Sequence, residues 1–338
     1  MLKKRIFGLI SLFMCLLVAL AGWTLWQTKA YVASPLNLES PQLVTIAKGA
    51  HYHKVINQFE DKGWLTATVW AKVAPRVYPE LTRIQAGTFQ IQPGQSLGEV
   101  FATLREGQQY QDAITFIEGS TFAQWRLQMA SAPHLEQTLT ALDEADIAKR
   151  LGAEYTKLEG LLLPETYAYD VGDTDLSLLR RAYQAMQASL DKAWQNRADD
   201  LPIDSPYELL ILASIIEKET AIDAERTKVA SVFVNRLRRG MRLQTDPTVI
   251  YGMGDNYDGN IRKRDLRTPT PYNTYVIKGL PPTPIAMPGM ASLMAAAQPA
   301  TTQYYYFVAT GKGGHQFSTT LAEHNRAVRD YLKVLKSQ

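Results

Sequence analysis

Along the chain the spacing of hydrophobic and polar positions changes period several times, and each change marks an element. Residues Ile6 to Trp26 form a mainly apolar run without a charge, long enough to cross a bilayer as a helix. A mixed stretch from Tyr31 to Gln42 reads as a tether. The next segments read as a small α+β module: a strand at Leu43–Ile46, an amphipathic helix around Val55, Ile56 and Phe59 ending near Gly63, and a helical stretch from Thr68 to Val73. A strand at Gly87–Ile91, a turn at Pro93-Gly94 and a helix at Leu97–Arg105 closed by Gly107 complete it. Beyond it the pattern predicts a strand at Ile114–Ile117 followed by helices, a compact turn at Leu158–Tyr167 and a long amphipathic helix from Leu176 to Asn196. Two further helices follow, Pro206–Thr220 and Glu225–Arg239, the second capped by Gly240. The remainder is loop-rich up to a hairpin, Tyr304–Val308 returning as His315–Ser318, and a final helix from Ala322 to Lys336.

The helix Pro206–Thr220 is the most informative of these. Ser205 and Glu208 have capping-box spacing, and Pro206 suits a first helical position. Leu209 to Ile216 is aliphatic except for Ser214, and two carboxylates follow, Glu217 and Glu219. At 100° per residue, the mean apolar direction lies roughly 50° from Glu219, 105° from Glu217 and 150° from Lys218. Glu219 also sits four residues after Ile215 and three after Ile216, on their face. A desolvated carboxyl keeps its proton to higher pH, as an acid catalyst at neutral pH requires. Glu219 is therefore the better candidate acid and Glu217 a helper or ion-paired neighbour. The competing reading, two solvated glutamates at the end of a core helix, stays open on the segment alone.

Composition and charge narrow the class. The chain is 46 % hydrophobic and 20 % charged, ordinary for a protein with a proper core. A net charge of +3 without a long basic run argues against a nucleic-acid partner. No cysteine follows Cys15, which excludes an intrachain disulfide, a zinc-thiolate site or a cysteine nucleophile in the body. Lys3-Lys4-Arg5 precedes the apolar run, and Trp23 and Trp26 lie near its far end. That order places the N-terminus in the cytoplasm and the body outside it. Ala19-Leu20-Ala21 resembles a signal-peptide cleavage site, but the apolar run continues past it, which favours a retained anchor.

Other chemistry-bearing patterns have plainer explanations. Gly94-Gln95-Ser96-Leu97-Gly98 spells the serine-hydrolase elbow, yet Ser96 with Glu99 is also a capping box and the module lacks repeated βα units. His51 and His53 share a strand face without the partners of a metal site. His315 and His324 read as surface histidines, although His315 beside the turn could line a groove. The turn Gly311-Lys312-Gly313-Gly314 lacks phosphate-loop spacing. No metal or cofactor is expected. The loops after the glutamate helix are richer: Arg242, Gln244, Thr245, Asp246, Tyr272, Asn273, Thr274 and Tyr275 could present amides, hydroxyls and aromatic rings to a sugar, or simply fix turns.

Five segments together carry a resemblance: Ala213–Thr220, Val232–Leu237, Arg242–Val249, Pro271–Tyr275 and Gly279–Pro282. In them the chain resembles the endolytic murein transglycosylase family (MltG, or YceG-like). The resemblance implies an α+β architecture: an N-terminal transmembrane helix, a LysM-like module at 43–107, a connecting region at 108–200 and a catalytic domain at 201–338 with a lysozyme-like catalytic helix. Residues 1–5 would be cytoplasmic, 6–26 the anchor and 27–42 the tether. The Glu219-Thr220 pair parallels the Glu-Ser of lysozyme-like lytic transglycosylases, so Glu219 takes the acid/base position. Glu217, Asn235, Gln244, Thr245, Asp246, Tyr272, Asn273 and Thr274 become substrate-binding or supporting residues.

The implied reaction is non-hydrolytic cleavage of the bond between N-acetylmuramic acid and N-acetylglucosamine. It would act on nascent strands at the inner membrane from a periplasmic catalytic domain. The implied partners are glycan strands, the membrane and peptidoglycan synthases. A hydrolytic muramidase using Asp246 as base and a non-enzymatic glycan-binding scaffold are the competing readings.

Overall fold

The computed structural model describes residues 2–337. Met1 and Gln338, the outer ends of the expected 1–5 and 201–338 segments, lie outside the described residues, as does the side chain of Lys3 in the basic cluster. The fold is α+β, with helices dominating and three two-stranded sheets among the described residues. It divides into two compact units, 1–112 and 113–338. The regions read from sequence as 108–200 and 201–338 fall almost entirely within the second.

Helix α1 (Leu2–Val32) runs well past the expected span. Its membrane-length portion is apolar and exposed, as one helix able to cross a bilayer. Its last turns are not a free tether. Trp23 meets Trp70 edge-to-face at 5.3 Å, Thr28 is buried, and Leu36 is buried just beyond the helix with its N–H on the Gln95 carbonyl at 2.9 Å. The mixed composition there reflects a segment with one side against protein.

The rest of unit 1 is β1 (Gln42–Ile46), α2 (Tyr52–Asp61), α3 (Val69–Val77), β2 (Gly87–Ile91) and α4 (Leu97–Glu106). β1 and β2 pair antiparallel, Val44 opposite Phe89. Phe59, Phe89, Ile91, Phe101 and Leu104 are buried in one cluster beneath them. α4 begins with a complete capping box. The Ser96 N–H donates to Glu99 Oε2 at 2.7 Å and the Glu99 N–H donates to Ser96 Oγ at 3.3 Å. The Ser96 hydroxyl also donates to Glu99 at 2.8 Å, so this serine is a cap.

Unit 2 contains β3 (Gln111–Thr115, entering it at Ala113), α5 (Phe122–Ala130), α6 (Glu144–Leu151), β4 (Thr166–Asp170) and α7 (Asp175–Gln195). They are followed by α8 (Pro206–Glu219), α9 (Asp223–Arg238), α10 (Asp246–Met253), α11 (Met290–Ala297), β5 (Tyr306–Ala309), β6 (His315–Ser318) and α12 (Leu321–Ser337). β4, α10 and α11 were not anticipated from the pattern. Trp125 on α5 stacks on Phe116 with centroids 3.7 Å apart, anchoring the core under β3 and β4.

α8 runs through the middle of this core. Residues Leu209 to Ile216 are all buried, and α8 packs on α7, α9, α10 and α11. Ser214, the one polar interruption, donates to the Ile211 carbonyl at 2.7 Å and accepts the Ile285 N–H at 3.1 Å, which satisfies it and ties the 285 segment to the helix. At the N-terminus Ser205 accepts the Glu208 N–H, but Glu208 reaches back to the Asp204 N–H at 2.6 Å, so only half of the expected box forms. α8 stops at Glu219 because Thr220 is extended, at φ −150 and ψ 134.

Replacing an N-cap serine by alanine removes a helix-terminal hydrogen bond worth about 1 kcal/mol. Ser96→Ala is expected to lower the stability of unit 1 by about that amount in denaturant melts. An unchanged midpoint would contradict the capping role.

Candidate functional site

The C-terminus of α8 opens on a cavity of about 500 Å³. Its wall takes Glu219 from α8, Arg236 from α9, Gln244, Thr245 and Asp246 from the start of α10, and Tyr275 from the following loop. Tyr306 of β5 and His324 of α12 close the other side. Glu219 is half-buried as a residue, with its carboxyl enclosed. Burial pushes its pKa up. The hydrogen bond donated by the Thr245 hydroxyl opposes that rise, Asp246 adds to it, and His315 and Arg236 pull it back.

The loop that supplies Thr245 is held by threonines. Thr274 Oγ1 accepts the Thr245 N–H at 3.1 Å and pairs with Thr248 Oγ1 at 2.8 Å, while Thr248 donates to the Thr245 carbonyl at 2.8 Å. Thr248 and Thr274 are fully buried. Tyr275 donates to Asp246 Oδ1 at 2.6 Å, and burial followed by this bond raises the phenol pKa. Gln244 is exposed at the rim with φ +51, a left-handed conformation uncommon for a residue with a side chain. Its N–H is held by the Thr274 carbonyl at 3.2 Å.

The residues expected to support the site divide by location. Glu219, Gln244, Thr245 and Asp246 share the cavity. Thr274 supports it from behind. Asn273 is a brace, because its amide donates to the carbonyls of Asp265 and Thr268 and its oxygen accepts the Tyr275 N–H at 3.0 Å. Asn235 is likewise occupied, donating to the Thr302 and Tyr304 carbonyls at 3.0 Å each. Tyr272 lines a different cleft and pairs with Thr283 at 2.9 Å.

Glu217 also points away from this cavity. Its side chain is 6 % exposed, accepts the Gly289 N–H at 3.0 Å and lies 4.0 Å from Arg226. Glu118 is beside it, and burial first, then Glu217's charge, push the Glu118 pKa up, with Arg226 opposing. A Cβ at Gly289 would fall 1.7 Å from Glu118 Oε1, so a side chain there would displace the Glu118 carboxyl.

Several residues at the site were not singled out from sequence. Arg236 is buried, with Nε on the Tyr305 carbonyl at 2.6 Å and Nη1 on the Leu243 carbonyl at 2.7 Å. Three backbone carbonyls therefore fix a cation beside Glu219, counting the longer bond to Arg242. The signal was its place in the segment Val232–Leu237. His315 corrects the surface reading. Its Nδ1 lies 2.8 Å from Glu225 Oε2, its side chain is 16 % exposed, and Phe307 and Phe317 flank it. His324 also departs from a plain surface histidine, stacking on Tyr306 at 5.2 Å with Nδ1 buried and unpartnered. Burial, and then Arg236, hold its pKa down.

These features define an α+β protein with an N-terminal apolar helix and an enclosed carboxyl at the end of a core helix. Comparison with known proteins is more specific. The YceG-like family matches residues 44–330, and the chain belongs to that family. A Bacillus subtilis protein named endolytic murein transglycosylase is 35 % identical over 272 residues, 75 % of each chain. A Streptococcus pneumoniae protein of the same name is 28 % identical over 247 residues, 71 % of this chain and 42 % of that one. The crystal structure of a yceG-like protein from Listeria monocytogenes superposes with a TM-score of 0.55 at 28 % identity, covering 86 % of this chain and 99 % of the other.

Two outcomes follow from the carboxyl environments. Thr245→Val removes a bond that favours the Glu219 carboxylate, so the Glu219 pKa should rise. Carboxyl NMR titration checks this, and an unchanged or lower value contradicts it. Glu159 is buried and pushed up to about 7 by burial, against bonds from the Phe122 N–H and the Tyr251 hydroxyl. A raised folded pKa means the native state holds its proton longer. Stability from this group is therefore complete below the unfolded value and is lost as pH rises through about 7. Glu159→Gln should flatten the decline between pH 4.5 and 7, about 3 kcal/mol at most, in denaturant melts across that range.

Proposed function

We propose that this chain is a membrane-anchored endolytic lytic transglycosylase, a lyase acting on peptidoglycan, with Glu219 as its acid/base. The observation that carries the reading is the enclosed Glu219 carboxyl, its pKa raised by burial, facing a cavity between α8, α10 and the C-terminal hairpin. The names of the Bacillus and Streptococcus relatives give the substrate and the reaction class.

In the proposed reaction Glu219 donates its proton to the glycosidic oxygen as the bond from C1 of N-acetylmuramic acid breaks. The resulting carboxylate then removes the proton of the same sugar's 6-hydroxyl, whose oxygen closes on C1. The products are a free N-acetylglucosamine end and a 1,6-anhydro-muramoyl end, and Glu219 regains its proton. One carboxyl suffices because the second nucleophile is the substrate's own hydroxyl, whereas hydrolytic glycosidases generally use two. Thr245 and Arg236 stabilise the carboxylate formed midway. Gln244 and Asp246 are assigned to substrate binding at the rim, and Glu217 to holding the end of α8 through Gly289 and Arg226.

The apolar part of α1 serves as the anchor, with the N-terminus cytoplasmic and the catalytic unit periplasmic, at the inner membrane where strands emerge. Cleavage there would end strand elongation and bring the chain near peptidoglycan synthases. The order β1-α2-α3-β2 with antiparallel strands supports a LysM-like reading of the first unit.

Removal of a general acid typically lowers rate by about 10²–10⁴-fold. Glu219→Gln should therefore release at least about a hundredfold less soluble product from purified sacculi. Mass spectrometry of the wild-type products should find anhydro ends. Full activity of the variant would sink the assignment of Glu219, and reducing ends would instead indicate water activated by Asp246.

A further inference from the structure

A second cleft, of about 940 Å³, lies on the opposite side of the wall that carries Glu219. Consecutive residues face the two spaces. Glu219 and Asp246 line the first cavity, and their chain neighbours Lys218 and Pro247 line the second. The wall between the two spaces is therefore built from the end of α8 and the start of α10, and a helix with its side chains is about 10–12 Å across.

The second cleft differs in chemistry from the first. Its floor is Glu159, whose carboxyl accepts the Tyr251 hydroxyl at 3.3 Å and the Phe122 N–H at 3.1 Å. On one side Lys157 is neutralised by Glu144 at 3.0 Å. Lys218 is held by a neutral partner only, the Gly119 carbonyl at 3.0 Å, and Arg126 by the Thr140 carbonyl at 3.4 Å. Asp255, which is exposed, also lines the cleft. Two cations and an anion thus face the cleft without an opposing charge among the described residues. A neutral sugar would leave those charges idle. A ligand carrying both carboxylates and an ammonium would pair with them.

We propose that this cleft binds the short peptide appended to the glycan strand, reading its carboxylates with Lys218 and Arg126 and its ammonium with Asp255. The inference rests on the transglycosylase reading for the identity of the polymer. A four-residue peptide can extend about 13–14 Å, longer than the about 10–12 Å diameter of a helix, so it can pass the wall while its sugar occupies the Glu219 cavity. α10 connects the two spaces directly, since Tyr251 contacts Glu159 and Thr245 at its N-cap contacts Glu219.

The test uses the full chain in detergent and the synthetic probe N-acetyl-L-alanyl-γ-D-glutamyl-meso-diaminopimelyl-D-alanine, with affinity measured by calorimetry. Exposed charge pairs contribute roughly 0.2–1 kcal/mol. Arg126→Gln and Asp255→Asn are therefore each expected to weaken binding up to about fivefold, with Glu219→Gln leaving it unchanged. In cleavage assays, both charge variants should reduce the ratio of kcat/KM on peptide-bearing strands to that on peptide-free strands, a ratio that a general loss of stability does not move. Absence of probe binding overturns the proposal. So does binding indifferent to both charge variants, or displacement of the probe by peptide-free glycan. A failure to form anhydro ends would strike the transglycosylase reading and leave the peptide affinity as measured.

Discussion

Everything at the site depends on placing an ionisable carboxyl at the end of a helix whose preceding two turns are buried. A carboxylate removed from water is strongly disfavoured unless donors replace its hydration. The chain meets that constraint incompletely. Glu219 receives the Thr245 hydroxyl and the charges of His315 and Arg236, against burial and the repulsion of Asp246. The result is an acid that keeps its proton beyond the ordinary carboxylate range. The threonine network, the bend at Thr220 and the left-handed Gln244 all determine where the one strong donor sits.

The same constraint explains why α8 is continuous with the core. An acid held by a flexible loop would find water, whereas Leu209 to Ile216 pack on four helices and leave the helix end little freedom. Ser214 adds a directional tie in that apolar run, through Ile285. Asn235, Asn273 and Thr274 are polar residues of the matching segments, yet their hydrogen bonds go to backbone or to other threonines. They fix the walls of the cavity, and proximity in sequence to Glu219 does not give them access to a ligand.

Much of this was legible in the sequence where a local rule operates. The α8 start, the Ser96 cap and the β5–β6 hairpin follow from capping and turn chemistry, and helical phase separated Glu219 from Lys218. Elements without a local rule escaped. α11 is made of small residues and methionine around a single leucine, and it is buried on several sides, so it carries little periodic signal. α10 has only eight residues and opens with Asp-Pro, and packing against α8 holds it. The wrong reading of His315 has the same origin, because its partner Glu225 is ninety positions away. Helical phase also did not foresee that Glu217 would be nearly excluded from solvent, since Gly289 and Arg226 come from elsewhere in the chain.

Glu159, Glu217 and Glu219 show how one side chain takes three physical roles. Glu159 is closed by a backbone N–H and a tyrosine, and burial still outweighs both. Glu217 faces a guanidinium and accepts a glycine N–H, an arrangement that holds two segments together. Glu219 combines burial with a cavity shared by Arg236 and with a hydroxyl donor, Thr245, on its carboxyl. That combination is what a group serving twice in the proposed reaction needs. Before bond cleavage, burial and Asp246 favour the protonated acid. Once the proton has gone, the Thr245 hydroxyl is already on the carboxylate and the Arg236 charge is fixed in the same cavity by backbone carbonyls, so stabilisation requires no new arrangement of the protein. In the proposed reaction, the opposing influences on one carboxyl are therefore what would let a single residue act first as acid and then as base.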